Sequence, residues 1–130
     1  GHYFELNQAR NNPKPIQQPH PPICIGGQGP KRTLPLVARY AQHWNYPGRS
    51  NSQLAATRDL LDAECAKIGR DPAEIHVSAS VWVDAELEPG AVAELAANRF
   101  DAGVDEVLLY LPPPHKPAVL EPLAEAMAAL

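Results

Sequence analysis

The sequence predicts an α/β fold: part, about half, of a (β/α)8 TIM barrel with parallel strands and outer helices. Three observations carry this expectation. From residue 23 onward, short apolar runs alternate with helical patterns in the order β-α-β-α-β-α-β-α, and such alternation implies a parallel sheet with right-handed crossovers. The third strand alternates cleanly, with Ile75, Val77, Ala79, Val81 and Val83 on one side and His76, Ser78, Ser80 and Trp82 on the other. Serines and a histidine fit poorly beneath a helix layer but suit the interior or mouth of a barrel, where polar groups can meet a ligand. Finally, 130 residues make one domain, and four β-α units are half of a barrel that typically takes ~250 residues.

Residues 1–22 read as an irregular lead-in, with a short strand at Tyr3, Phe4 and Leu6 and a turn at Asn11-Asn12-Pro13. Ile23-Cys24-Ile25 forms the first strand, closed by Gly26-Gly27-Gln28-Gly29. Cys24 is expected to be a small core residue. Leu36, Val37, Tyr40 and Ala41 recur at helical spacing. Pro35 is tolerated only in a first turn, so that helix begins near Leu34 with Thr33 as its cap. His43-Trp44-Asn45-Tyr46 gives a very short strand stopped by Pro47-Gly48. Ser52 caps the next helix, whose stripe is Leu54, Leu61, Cys65 and Ile68, ended by Gly69. Asp71-Pro72 opens a single turn. Residues 91–102 form an alanine-rich helix ended by Gly103, and residues 106–111 the fourth strand. The last helix opens near Pro117 with Leu120, Leu123, Met127 and Leu130 as its stripe. Residues 23–130 thus hold all four units.

Composition narrows the function. Eleven Lys+Arg against 15 Asp+Glu give a net charge of −4, which argues against a general nucleic-acid or anionic-membrane partner. Hydrophobic residues make up 45% of the chain, enough for a core. No apolar run approaches ~18 residues, and no secretory pattern opens the chain. Cys24 and Cys65 make neither a disulfide scaffold nor a zinc site, so a reduced, cytoplasmic setting is expected. Fifteen prolines, concentrated at 13–22 and 112–117, exceed twice the ~5% average and mark stiff connections. A half-barrel leaves two open edges. The expected partner is therefore a second copy of the chain or the missing N-terminal half of the barrel. The initial Gly1 in place of Met favours a fragment.

The best chemical signal is Gly26-Gly27-Gln28-Gly29-Pro30-Lys31-Arg32-Thr33. Glycines between strand and helix let the backbone approach an anion, and the helix start offers N–H groups and a positive dipole end. Lys31, Arg32 and Thr33 add charge and a hydroxyl. From spacing alone, phosphate binding and a purely geometric turn stay equally open. On the phosphate reading, a valine at Gly27 crowds the anion without disturbing the fold. The Rossmann fingerprint fails because Arg32 stands where Gly is required, and the P-loop fails because Pro30 separates Gly29 from Lys31. His2, His20, His43, His76 and His115 show no ligand spacing, and no metal site is expected. His43, beside Trp44-Asn45, could touch a ligand or be structural, and His76 lies at the end away from a barrel's active mouth. Ser80 and Trp82 lie toward that mouth, where Trp82 lines a ring pocket or fills the barrel. Acidic residues near 84–88 read as a solvated loop. No Ser-His-Asp or Cys-His nucleophile is legible, so catalytic residues stay unassigned.

The stretches Asn11 to Gln17, Pro19 to Gly27, Lys31 to Leu34, Val37 to Ala41 and Trp44-Asn45 together resemble the bacterial luciferase-like monooxygenase family. The nearest branch is the deazaflavin-dependent, coenzyme F420 class, which Cys65 followed by Gly69-Arg70-Asp71-Pro72 also fits. The resemblance implies a (β/α)8 oxidoreductase that binds FMN or F420 at the C-terminal mouth. It implies that Gly26, Gly27, Gln28 and Gly29 contact the cofactor phosphate, and that earlier barrel strands, absent from this chain, hold the ring. The chain departs from the family at Gln28, where glycine is common, at Pro35, and at Gln42-His43, where an acidic residue commonly precedes Trp-Asn. Two functions follow as expectations: the C-terminal half of an oxidoreductase barrel acting on a small-molecule substrate, or a non-catalytic half-barrel that dimerises or binds a phosphorylated ligand.

Overall fold

A computed structural model describes residues 2–10, 12–84, 86, 88–113 and 116–130. Its elements are β1 (Cys24–Gly26), α1 (Thr33–Tyr40), β2 (His43–Tyr46), α2 (Asn51–Lys67), a single 3₁₀ turn (Pro72–Glu74), β3 (His76–Trp82), α3 (Pro89–Asp101), β4 (Glu106–Tyr110) and α4 (Pro117–Met127). The strands pair in parallel in the order β1-β2-β3-β4. Parallel neighbours joined in sequence order by crossovers of one hand carry every helix on the same face. The packing agrees. Trp44, Tyr46, Val77 and Ala79 meet Leu34, Val37, Leu54, Leu61 and Cys65 in one core, and Val83 and Leu109 meet Val92 and Leu123 in another. The opposite face carries His43, Asn45, His76, Ser78, Ser80, Trp82, Glu106 and Tyr110. This is the one-sided curl of a barrel segment, and the polar side of β3 is its inner wall.

Local chemistry explains the boundaries. Gly69 at φ +68° follows α2; its N–H reaches Ala66 O, while that of Arg70 reaches Cys65 O, the two bonds of a Schellman stop. Asp71 caps the 3₁₀ turn by accepting from Ala73 N–H at 2.9 Å. Gly103 at φ +81° follows α3.

Several expectations are corrected. Ser50, not Ser52, caps α2: its backbone is extended and its hydroxyl accepts from Gln53 N–H, while the Ser52 hydroxyl bonds that of Ser50 at 2.8 Å. Leu36 and Tyr40 are half exposed, because the stripe of α1 runs through Leu34, Val37 and Ala38. Ile68, Leu120 and Leu130 are likewise exposed; α4 docks chiefly through Leu123. No strand forms at Tyr3, Phe4 and Leu6, which are exposed. Cys24 is exposed on edge strand β1, pointing to the open face and away from the core. Asn11 of the predicted turn, Pro114 and His115 lie outside the described residues.

Candidate functional site

In a parallel sheet all strand C-termini share one end, and the connections 27–32 and 47–50 leave the sheet there, at the mouth. The glycine loop leaves β1 at this mouth. Gly26 ends the strand, and a Cβ on it meets nothing nearer than Asn45 Oδ1 at 3.8 Å. Gly27 adopts φ +128°, and a Cβ there comes to 2.9 Å from Thr33 Cγ2. A side chain at Gly27 therefore strains the fold itself, which corrects the expectation of an undisturbed fold. Gly29 is also closely seated, 3.1 Å from Thr33 Oγ1 at its Cβ position. The Trp44-Asn45 pair fastens the loop to the core. The indole N–H of buried Trp44 donates to Gly27 O at 2.7 Å, and Gly27 N–H donates to Asn45 O at 3.1 Å.

The helix end differs from the sequence expectation. Thr33 is the first residue of α1 and not its cap; Arg32 occupies the cap position without a side-chain bond. Gly29 O accepts from both Thr33 N–H at 3.0 Å and Leu34 N–H at 3.1 Å, and Pro35 has no N–H. The first-turn donors of α1 are thus consumed by the loop itself. Among the described residues, the N–H groups of Gln28, Gly29, Lys31 and Arg32 and the half-buried Thr33 hydroxyl have no protein partner. Gln28, Lys31 and Arg32 are exposed. The donors that suit an anion are loop amides, flanked by two cations.

A pocket of about 320 Å³ opens beside β3, lined by Arg49, Ser80, Trp82, Leu95, Asn98 and Arg99 among others. Trp82 stacks on Tyr110 at 4.3 Å, and the Arg49 guanidinium stands 5.9 Å from its ring centre. Trp82 is half exposed on the inner wall and contributes to the lining of this pocket. Buried Arg99 clamps the loop after β2, donating to Asn51 Oδ1, Gly48 O and Arg49 O. Burial raises the Tyr46 phenol above its ordinary value, opposed by the charge of Arg99. Sequence reasoning singled out neither arginine. An exposed cation directly after the Pro47-Gly48 stop was the available signal for Arg49.

At the other end of the sheet, the first residue of β2 faces the first of β3: His43 and His76 are register partners. This places His43 at the floor, away from the glycine loop's mouth. Its Nε2 lies 2.7 Å from Ser78 Oγ, which also accepts from Asn45 Nδ2 at 2.9 Å. His76 Nε2 lies 3.0 Å from Glu106 Oε2. The structure thus gathers His43, His76 and Glu106, a grouping that sequence spacing did not reveal.

The luciferase-like monooxygenase family profile matches residues 1–128. Among solved structures, the chain is similar to an F420-dependent secondary alcohol dehydrogenase in complex with an F420-acetone adduct. That match has a TM-score of 0.71 and 18% identity, and covers 99% of this chain and 54% of the dehydrogenase. It is also similar to the coenzyme F420 dependent tetrahydromethanopterin reductase from Methanopyrus kandleri. Here the TM-score is 0.65 at 14% identity, covering 83% of this chain and 50% of the reductase. The chain thus spans about half the length of these structures, and none of the curated proteins matches it. Among the described residues, no helix is long and apolar enough to cross a membrane. The one-sided parallel sheet, the glycine loop at its mouth and a profile match over nearly the whole chain make this a member of the luciferase-like monooxygenase family.

Proposed function

We propose that the protein is an F420-dependent oxidoreductase of the luciferase-like type, in which this chain supplies the cofactor-phosphate loop and one wall of the substrate pocket. The observation that carries the reading is the loop itself. At the barrel mouth, four backbone N–H groups without a protein partner, the Thr33 hydroxyl and the exposed side chains of Lys31 and Arg32 all lie in the short loop that also carries Gly26, Gly27 and Gly29. Successive backbone donors with flanking cations suit a phosphate. F420 is favoured over FMN because both structural relatives are F420-dependent. When bound, the cofactor supplies hydride chemistry; the chain's residues bind its anionic tail and orient it. Trp82, Tyr110 and Arg49 offer a small-molecule substrate an aromatic wall with one cation.

The apolar residues left exposed at the sheet's two flanks, Ile23, Leu36 and Tyr40 at one and Tyr110, Val119 and Leu120 at the other, support a partner that closes the barrel, either its N-terminal half or a second copy. Fluorescence titration of the full-length protein with F420 and with FMN tests the cofactor reading. F420 is expected to bind at micromolar concentration or below. Gly26→Ala, whose Cβ meets only an ordinary contact, should weaken binding while the thermal midpoint holds. Binding of neither cofactor overturns the proposal.

A further inference from the structure

We propose that His43, His76 and Glu106 form a site for a divalent transition metal, zinc or nickel in kind, on the inner wall at the end opposite the glycine loop. The three side chains come from three adjacent strands. Parallel register sets His43 beside His76 and Ser78 beside Glu106, so all three project to the same face. One ligand atom from each residue lies within 4.8 Å of the others, the two imidazole centres are 5.0 Å apart, and His76 Nε2 is 3.0 Å from Glu106 Oε2. A metal held at about 2.0–2.2 Å from each donor needs donor atoms roughly 3.3 Å apart. One pair already meets this. Rotation of the half-buried His43 ring supplies the rest, in exchange for its bond to Ser78, which keeps Asn45 as a partner.

The donor set decides the class of ion. Two imidazoles with one carboxylate suit zinc, nickel, copper or ferrous iron, not the all-oxygen preference of magnesium or calcium. Neutral rings with one carboxylate leave a dication half compensated. Asp105, whose Oδ2 lies 3.9 Å from His76 Nδ1 and is held by Val77 N–H at 2.7 Å, adds negative charge near the ring. Among the described residues, Glu106 and Asp105 form no ion pair with a lysine or arginine. Three protein ligands leave a fourth position for water, and the ion ties β2, β3 and β4 together at the barrel floor.

The test does not depend on any cofactor. Metal-free full-length protein is titrated with Zn2+ by calorimetry and with Co2+ by visible absorption. About one ion per chain is expected, with micromolar affinity, Co2+ bands of a four-coordinate site and a raised thermal midpoint. His76→Gln and Glu106→Gln should each weaken Zn2+ binding at least about tenfold. His20→Gln, in the exposed lead-in, should leave it unchanged. Glu106 is exposed, so its variant keeps the test valid if the histidine variant fails to fold. No binding at roughly 100 μM Zn2+, or equal affinity in wild type and Glu106→Gln, overturns the site and leaves His76 a simple hydrogen-bond partner of Glu106.

Discussion

Replacing Gly27 with alanine separates two costs that the structure lets us size independently. The backbone at Gly27 sits at φ +128°, a region that non-glycine residues hold only at about 1–3 kcal/mol. The new Cβ also lands 2.9 Å from Thr33 Cγ2. Thr33 is β-branched in the first turn of α1, so few rotamers let it retreat, and overpacking of this kind costs about 1–3 kcal/mol more. The total is about 2–6 kcal/mol. At roughly 3–5 °C per kcal/mol for a domain of this size, the thermal midpoint should fall by at least about 6 °C. Gly69 provides the control: it sits at φ +68° with nothing within 4 Å of its Cβ position, so Gly69→Ala should lose only about 1–2 kcal/mol. Thermal unfolding followed by far-UV dichroism measures both, and Thr33→Ser in a double-mutant cycle isolates the contact. Gly27→Ala that melts with or above Gly69→Ala refutes the reasoning. So does a cycle showing no coupling between positions 27 and 33.

Three other perturbations have readable outcomes. Arg70 donates to Ala38 O at 2.9 Å and Ala41 O at 2.6 Å, closing the C-terminus of α1 with a positive charge. Arg70→Met should therefore cost about 2–4 kcal/mol in urea unfolding. Cys24 is exposed and Cys65 buried, so a thiol reagent should label Cys24 promptly and Cys65 only on unfolding; equal rates would contradict the packing of α2. Burial, the largest cause, raises the Cys65 thiol above 9.0 and the Tyr46 phenol above 10.0. Both groups are protonated in either state below those values, so their contribution is complete there. As pH rises through them the unfolded chain ionises first, and stability should fall. Cys65→Ala should flatten that fall when chemical unfolding is compared between pH 8 and roughly pH 10.

The elements legible in the sequence were those fixed by local chemistry. Strict alternation from Ile75 to Val83 announced β3 and its polar inner side, and Gly69 and Gly103 announced helix ends through their need for positive φ. What stayed hidden depended on partners distant in the chain. Apolar spacing showed α1 but not its inward stripe: Leu36 and Tyr40 match the helical period as well as Leu34 and Ala38, and contact with α2 decides between them. Cys24 looked like core because its neighbours are isoleucines, yet an edge strand on a one-sided sheet leaves alternate residues uncovered. The floor cluster was invisible for a related reason. His43, His76 and Glu106 meet only through the register of three strands, and no spacing rule carries register across a crossover.

The Trp44-Asn45 pair shows how the core sets the chemistry of the mouth. Trp44 belongs to the helix-facing side of β2, stacked edge-on to Tyr46 at 5.8 Å, yet its indole N–H crosses to Gly27 O. Asn45 points the other way, bonding Ser78, while its carbonyl takes Gly27 N–H. Two neighbouring residues on opposite faces thus hold one glycine by both its donor and its acceptor. With Gly27 fixed, the loop turns so that Gly29 O caps Thr33 and Leu34. That cap uses up the donors of the helix end and leaves the N–H groups of Gln28, Gly29, Lys31 and Arg32 without a protein partner. The shape of the loop therefore rests on a buried indole as much as on its glycines.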